Sequence, residues 1–531
     1  MESIPEDTDN LQPATERRAE AAGPLSSPAT RLWQPYLIVF ISNCCIMIME
    51  LVAGRIVAPH VGVSLYTWTS IIGVVLAGIS LGNYLGGRLA DRWASLRLLG
   101  GIFLMGGLSS LGILTVDTLS GLPSGEWPIV LNILVLTTAL FFFPSVILGT
   151  VSPIVAKLAV SDLARTGSTV GKIYAAGTLG SIVGTFATGF LLISWFGTHT
   201  IVWGVAVVLL VIGLLFLLRD RWLLMVVPGL ILTGTSVQLF NLGWLRGPCT
   251  IESNYFCIRV FEEEQDGEPV RVLTLDRLVH SYSSLDDPTK LVYTYEKMYA
   301  EVAQYRAQQD DHLRALFIGG GGYTFPRYME AVYPRSDIDV IEIDPAVTQV
   351  AHHLLGLSPD TRVVTHNEDA RLFLEREPAQ AYDLVIGDAF NDFSVPYHLT
   401  TREFNDRVSA WLEDGGLYCV NIIDGPRGDF LRAYTHTLRQ TFRYVYVAPT
   451  AEHWQRSPRS TFVLIASDAP LDRATLEALH ARSADPLLAR LLLSEDEIDA
   501  LLAEGSVVML TDRYAPVDQM LAPVFRDEEP E

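Results

Sequence analysis

The sequence predicts a multi-pass α-helical membrane domain followed by a Rossmann-like α/β domain, with a small β-region between the two. Apolar runs of transmembrane length fill residues 35–240, whereas charged residues are concentrated after Glu252. Between Leu316 and Asn421, short apolar runs end in glycine or an acid and are separated by helix-length segments. This alternation is typical of a parallel sheet that binds a nucleotide along the carboxyl ends of its strands.

Length and charge limit the classes of protein to which the chain can belong. At 531 residues it exceeds what one hydrophobic core usually supports. The formal net charge of -22 argues against nucleic acid and anionic lipid surfaces, because both need basic patches. We predict a disordered tail (1–34), a membrane domain (35–245), a small β-region with a linking helix (246–310), a nucleotide-binding domain (311–470) and a helical extension (471–531).

The five cysteines do not follow a metal-binding pattern, so no metal is expected. Cys249 and Cys257 are close in sequence on either side of a predicted strand start. They can form a disulfide if this segment faces an oxidising compartment.

Seven apolar runs are each long enough to cross a hydrocarbon core of roughly 30 Å. Gly78, Gly82 and Gly86 recur at every fourth residue, a spacing that lets helices in lipid approach closely. Glu50 lies within the first run, which indicates either a ligand or transport site or an ion pair with Arg55. The runs are 35–58, 66–87, 98–116, 128–150, 172–195, 200–218 and 222–240.

Basic residues between the runs predict the orientation in the cell membrane. They follow the second run, precede the fifth and separate the sixth from the seventh, so these loops and the amino terminus are expected in the cytoplasm. Seven spans would then place the carboxyl-terminal domain on the opposite side. The basic residues are Arg88, Arg92, Arg97, Lys157, Arg165, Lys172, Arg219 and Arg221.

A turn of four glycines follows the first strand predicted for the α/β domain. Residues 315–318 have the composition of a buried strand, and residues 319–322 are all glycine. Glycines accept positive φ and let backbone N–H groups approach a ligand. Glu342 ends the second strand, about 20 residues later, where an adenosine site places an acid for the ribose hydroxyls. The alternative is a solvated strand-end carboxylate.

Two further acids follow the next predicted strands. Asp369 comes after residues 362–365 and can either bind an adenine amino group or cap the following helix. Asp388 ends the strand at 384–387, at the centre of the expected cleft, where a carboxylate can take a proton from an amine or hold a cation. A solvated or capping acid is the alternative for Asp388.

An ordered series of motifs resembles the polyamine aminopropyltransferases, the spermidine synthase family. The whole chain resembles the fused membrane/spermidine synthase proteins, which implies a sheet of the methyltransferase type after the small β-region. The motifs are ESNY (Glu252–Tyr255), LD (Leu275–Asp276), the glycine turn, EID, EDA, GDAF and LTTREF, with LTDRYAPVDQ near the end.

The resemblance implies a site and a reaction. Its co-substrate would be decarboxylated S-adenosylmethionine, or S-adenosylmethionine, with a small-molecule amine as acceptor and a homodimer as the possible assembly. Asp388 would be the catalytic base. The nucleotide would be bound by Gly319, Gly320, Gly321, Glu342, Asp369 and Ala370, and the amine by Asp392, Tyr255 and Tyr397.

The departures from the family pattern lie around the aminopropyl chain and the amine. Gly322 stands in place of an aspartate, Phe256 and His280 in place of glutamines, and Glu296 in place of a histidine. The leading hypothesis is an aminopropyltransferase anchored in the membrane.

Two alternatives remain open. The first is methyl transfer from S-adenosylmethionine, for which Gly322 would leave room for the amino-acid end of the cofactor. The second is a nucleotide-sensing lobe of a transporter whose chemistry lies around Glu50 and Arg55.

Overall fold

The computed structural model describes most of the chain. The predicted seventh run, 222–240, lies largely outside the described residues, as do the amino-terminal tail up to residue 32 and Asp392. The described residues are 33–114, 129–160, 165–218, 234–235, 237–238, 241–242, 247–308, 310–390, 395–480, 486–505 and 507–524.

Six helices in the described part of the chain are long and apolar enough to cross a membrane. They correspond to the first six predicted runs, and we number them in order. The fourth and fifth are continuous through single π-helical segments at Thr138–Phe142 and Thr188–Leu192. The six spans are Gln34–Val61, Leu65–Trp93, Leu96–Ile113, Val130–Ala159, Thr166–Trp195 and Thr198–Leu217.

Glycines bring the second and fourth spans into backbone contact. A Cβ on Gly82 would lie 2.3 Å from the carbonyl oxygen of Val146, and one on Gly86 would lie 2.7 Å from Thr150. Only glycine allows this approach, so the packing predicted from the four-residue repeat is confirmed.

The small β-region is an antiparallel sheet of four strands in chain order. The disulfide between Cys249 and Cys257 links the segment before the first strand to the start of the second. The strands are β1 (Ile251–Glu252), β2 (Cys257–Gln265), β3 (Glu268–Leu275) and β4 (Leu278–Ser283).

The larger sheet has seven strands in the order β10-β11-β9-β8-β5-β6-β7. β11 runs antiparallel to β9 and β10, and the other pairs are parallel. The strand order reverses between β5 and β8, which is where ligands bind in such sheets. The strands are β5 (Arg314–Ile318), β6 (Asp337–Ile341), β7 (Val364–His366), β8 (Tyr382–Gly387), β9 (Leu412–Asp424), β10 (Tyr444–Pro449) and β11 (Ser460–Ser467).

Helices cover both faces of this sheet, as the alternating pattern predicts. The chain after residue 471 shares the core of the sheet, since Ile498, Leu501 and Leu521 are buried in the same cluster as Val385 on β8. The helices are Thr294–Arg306, Thr324–Val332, Pro345–Leu354, Ala370–Leu374, Arg402–Trp411, Asp429–Leu438, Arg473–His480, Leu488–Leu491, Glu495–Ala503 and Val517–Leu521, with single 3-10 turns at Tyr397–Leu399 and Trp454–Arg456.

The small β-region is docked on the ends of the spans. Arg55, near the end of the first span, donates hydrogen bonds to the carbonyl oxygens of Ser253 (2.6 Å) and Asn254 (2.8 Å). Glu252 accepts hydrogen bonds from the backbone N–H of Thr198 (2.6 Å) and from its hydroxyl (2.7 Å), and so caps the sixth span. No ion pair links Glu50 to Arg55 within the described part of the chain, so Arg55 joins the two regions instead.

Candidate active site

The glycine turn after β5 lies against the end of β8. The backbone N–H of Asp388 donates to the carbonyl of Ile318 (2.9 Å), which holds the two strand ends together. Gly319 has a φ of +98°, and a Cβ there would lie 2.5 Å from the carbonyl oxygen of Asp388. Glycine is therefore required at 319, both by its conformation and by this approach.

Glu342 is buried directly behind the turn. One carboxylate oxygen accepts the backbone N–H of Gly320 (2.8 Å), and the other accepts that of Asp344 (2.9 Å). Burial raises the pKa of Glu342. The carboxylate thus orients the glycine turn, and its predicted contact with a ribose stays a prediction.

Asp369 caps the helix Ala370–Leu374. Its carboxylate accepts the backbone N–H groups of Arg371 (2.8 Å) and Leu372 (3.1 Å), and lies 3.4 Å from the imidazole of His398. The sequence left open whether Asp369 binds adenine or caps a helix, and in the structure it caps the helix. Asp369 and the buried Ala370 lie outside the cavity that contains Asp388, so their contact with adenine stays a prediction.

Asp388 lies partly buried at the carboxyl end of β8. Its carboxylate accepts hydrogen bonds from the amide of Asn421 (3.0 Å) and from the hydroxyl of Tyr295. Burial raises the pKa of Asp388 to about 6, and these two hydrogen bonds oppose the shift. The carboxyl is thus ionised at neutral pH, and its pKa is close enough to neutral pH for it to accept a proton.

A cavity separates β4 and the helix Thr294–Arg306 from the strand ends of the larger sheet. Five of its polar atoms are buried without a hydrogen-bond partner in the described structure. Buried polar groups are rarely left unpaired, so this wall is complementary to a polar ligand. The five atoms are Nε2 of His280, Oγ of Ser281, Oε2 of Glu296, the hydroxyl of Tyr299 and Oδ1 of Asn421, all on residues that line the cavity with Gly319–Gly322 and Asp388.

Glu296, which the sequence marked only as a departure from the family pattern, lines the cavity. Its side chain is 3% exposed, and burial together with the charge of Asp388 raises its pKa to about 8. His280 lines the same cavity, and desolvation lowers its pKa to about 4, so it is neutral at pH 7. The sequence signal for a role of Glu296 in the site was that it replaces the histidine of the family pattern.

The absence of a side chain at Gly322 does not leave free space. A Cβ there would lie 1.9 Å from Oγ of Ser281 and 2.7 Å from its Cβ, because β4 crosses over the turn at this point. The expectation that Gly322 leaves room for the amino-acid end of S-adenosylmethionine is therefore wrong. The serine side chain occupies that space.

Neither Tyr255 nor Tyr397, both predicted to bind the amine, lines the cavity around Asp388, and their contact with the amine stays a prediction. Tyr255 lines a different cavity, at the junction with the membrane spans, beside Arg55 and Asp276. Tyr397 is 59% exposed, and Asp392 lies outside the described residues. Among the described residues no group of three or more histidines, cysteines or acids is arranged to hold a metal ion.

The contact at Gly322 gives a direct test of this arrangement. We expect Gly322→Ala to lower the thermal stability of the protein by about 1–3 kcal/mol, because the new methyl group overlaps Ser281. Combining it with Ser281→Gly removes that overlap and should recover most of the loss. Thermal unfolding of the wild type, the two single variants and the double variant in a double-mutant cycle measures this. Equal losses with and without the side chain of Ser281 would contradict the contact.

Comparison with known proteins shows that this site lies in a known domain family. The model of the Spermine/spermidine synthase domain matches residues 293–433, which include the glycine turn, Glu342, Asp369 and Asp388. The match begins at the helix that carries Glu296.

The chain is also similar to individual proteins. A polyamine aminopropyltransferase from Vibrio vulnificus is 37% identical over 110 residues, which are 20% of this chain and 37% of that protein. Polyamine aminopropyltransferase 2 from Streptomyces coelicolor is 26% identical over 380 residues, or 66% of each chain. The crystal structure of a probable spermidine synthase from Corynebacterium glutamicum covers 50% of this chain and 97% of that chain, at 21% identity and a TM-score of 0.44.

The extent of these matches differs. The chain spans 37% of the length of the Vibrio relative and 66% of the Streptomyces relative. The residues after Gly247 make up little more than half of the chain, so the Streptomyces alignment also extends into the apolar helices. The carboxyl-terminal region of this chain therefore carries a spermidine synthase domain, and a set of membrane-length helices precedes it.

Proposed function

We propose that the protein transfers an aminopropyl group from decarboxylated S-adenosylmethionine to a small amine. The amine nitrogen attacks the methylene carbon bonded to the sulfonium. The carbon–sulfur bond breaks, its electron pair goes to sulfur, and methylthioadenosine leaves. The proton of the attacking nitrogen goes to the carboxylate of Asp388. A sulfonium is already a good leaving group, so positioning and proton removal supply most of the catalysis.

The observation that carries this proposal is the environment of Asp388. The carboxylate lies partly buried at the strand end, in one cavity with the glycine turn, and its pKa is raised to about 6. A base with a pKa near the working pH is the most effective proton acceptor. The match to the synthase domain supports the choice of donor and the class of acceptor.

The test uses the full-length protein in detergent with decarboxylated S-adenosylmethionine and a panel of diamines. We expect methylthioadenosine and the aminopropylated amine to form in equal amounts. If neither product forms with any diamine, the proposal is wrong. The predicted homodimer is checked on the same preparation by light scattering.

The alternative of methyl transfer was based on free space at Gly322 for the amino-acid end of S-adenosylmethionine. Ser281 fills that space. The ionised carboxylate of Asp388 in the cavity would also repel the carboxylate of S-adenosylmethionine. Incubation with S-adenosylmethionine and an amine discriminates, since methyl transfer would release S-adenosylhomocysteine. A transporter with a sensing lobe would instead bind the nucleotide without turnover and lose flux in Glu50→Gln.

We also propose that the region after the membrane spans, from Gly247 onward (the soluble region), lies on the non-cytoplasmic side. Arg55, near the end of the first span, and Thr198, at the start of the sixth, both bind this region and therefore lie on the same side of the membrane domain. Arg92 and Arg165 lie at the opposite ends of the second and fifth spans, whose other ends line the junction cavity. The positive-inside rule puts those basic ends in the cytoplasm. The disulfide between Cys249 and Cys257 also suits an oxidising compartment.

This orientation predicts which cysteines can be labelled from outside intact cells. Ala451→Cys, exposed on the soluble region, should react with a membrane-impermeant maleimide without permeabilisation. Ser168→Cys, exposed at a basic end, is the matched control and should react only after permeabilisation. The reverse pattern would place the domain in the cytoplasm. In the proposed orientation the co-substrate must reach the non-cytoplasmic face.

A further inference from the structure

The cavity around Asp388 is rich in hydrogen-bond acceptors that lack donors. Oδ1 of Asn421 is an acceptor, and Oε2 of Glu296 is an acceptor once the carboxyl is ionised; both are buried without a partner. The hydroxyl of Tyr299, also buried without a partner, can accept as well as donate. A primary ammonium group carries three N–H donors and a positive charge, which matches this set of atoms.

We propose that Glu296 holds a primary ammonium group of the ligand in this cavity. The chemical nature of the ligand rests on the proposed function, but the ammonium site itself is argued from the cavity wall. Removing a cation from water is costly unless a charged partner replaces the water. Glu296 provides that partner, on a helix that also carries Tyr295 and Tyr299 of the cavity.

Aromatic rings add to the stabilisation of a cation at this position. The rings of Tyr293 and Tyr295 stack at 5.1 Å, and Tyr295 and Tyr299 meet edge to face at 5.6 Å. The series continues to Phe325, at 5.5 Å from Tyr299. Ring faces attract cations, and the attraction grows when the cation is desolvated.

Binding of a cation should change the protonation of Glu296. Without a ligand its pKa is about 8, so the carboxyl is mostly protonated at neutral pH. An ammonium beside it favours the charged form, so a proton is released when the ligand binds. The other charged or titratable groups on the cavity wall or next to Glu296 are Asp388, Tyr293, Tyr295 and Tyr299, His280 on β4, Arg459 before β11, and the exposed Lys297.

The ammonium can come from either of two ligands, the aminopropyl end of decarboxylated S-adenosylmethionine or the amine acceptor. Methylthioadenosine has the same nucleoside but no ammonium, so it is a matched ligand without the group in question. Comparing the three ligands identifies which ammonium Glu296 holds.

The experiment measures binding of all three ligands to the full-length protein by calorimetry, in buffers of different ionisation enthalpy. We expect Glu296→Gln to weaken one ammonium ligand about tenfold or more, to leave methylthioadenosine unchanged and to abolish the proton release. Lys297→Gln, an exposed neighbour on the same helix, is the control and should behave like the wild type. Loss confined to the decarboxylated nucleotide identifies the donor, and loss confined to the diamine identifies the acceptor.

Two outcomes overturn the ammonium site. They are equal affinity of wild type and Glu296→Gln for both ammonium ligands, and failure of the wild type to bind either one. Binding that depends on Glu296 but yields no methylthioadenosine supports the site while it rejects the proposed function. Turnover by the wild type, with ligand binding unchanged in Glu296→Gln, supports the proposed function and rejects the ammonium site.

Discussion

Asp388→Asn should lower the rate of aminopropyl transfer by a factor of roughly 10²–10⁴, while binding of the nucleotide is retained. The amide keeps the shape of the carboxylate but cannot take a proton from the attacking amine. Asn421 and Tyr295, which donate to Asp388, can still donate to the amide oxygen, so the cavity should keep its form. Release of methylthioadenosine over a range of amine concentrations measures the effect.

The pH profile of the wild type gives an independent signature of the same group. Asp388 acts as a base only when ionised, and its pKa is about 6. The value of kcat/KM should therefore fall as the pH drops below about 6, and this acid limb should be absent from the residual activity of Asp388→Asn. An acid limb that persists unchanged in the variant would assign it to another group.

Stability distinguishes loss of a base from loss of the fold. The pKa of Asp388 is raised in the folded protein, so the folded state binds more protons than the unfolded state. The contribution of this carboxyl to stability is therefore greatest at acid pH and is lost as the pH rises through about 6. At pH 7 the neutral Asp388→Asn should have a Tm no lower than that of the wild type. A lower Tm would indicate that the side chain has a structural role.

The sequence predicts those parts of the site that depend on a local sequence pattern, namely a buried strand followed by glycine or an acid. The glycine turn follows a buried strand, and Glu342 and Asp388 end the next predicted strands, so the parallel sheet necessarily brings them to one edge. β7 is the weakest of these predictions. It was expected at 362–365 but lies at Val364–His366, because the backbone of Arg362 binds Glu330 instead of a neighbouring strand.

The parts that local pattern does not predict depend on contacts between distant segments. Tyr255 was expected at the amine, but its loop is bound by Arg55, almost 200 residues earlier in the chain, and faces the junction cavity. Ser281 fills the space at Gly322 because β4 crosses the turn. Neither contact leaves a periodic or spacing signal, so only the structure identifies them.

Gly319→Ala should both destabilise the protein and abolish transfer. At this position φ is +98°, a conformation that strains an alanine, and the new methyl carbon would lie 2.5 Å from the backbone oxygen of Asp388. A backbone oxygen cannot rotate away as a flexible side chain can, so the end of β8 must move. We expect a loss of about 3 kcal/mol or more, seen as a Tm lower by ~6 °C or more, and a displaced base.

Gly321→Ala separates the two causes of that loss. Gly321 also has a positive φ, of +48°, but no atom lies within 4 Å of the Cβ it would gain. Its cost is therefore that of the left-handed backbone alone, about 1–2 kcal/mol, with Asp388 left in place. The excess cost of Gly319→Ala measures the contact between the turn and β8. If the two alanine variants lose the same stability and the same activity, the close approach of Gly319 to Asp388 does not position the base.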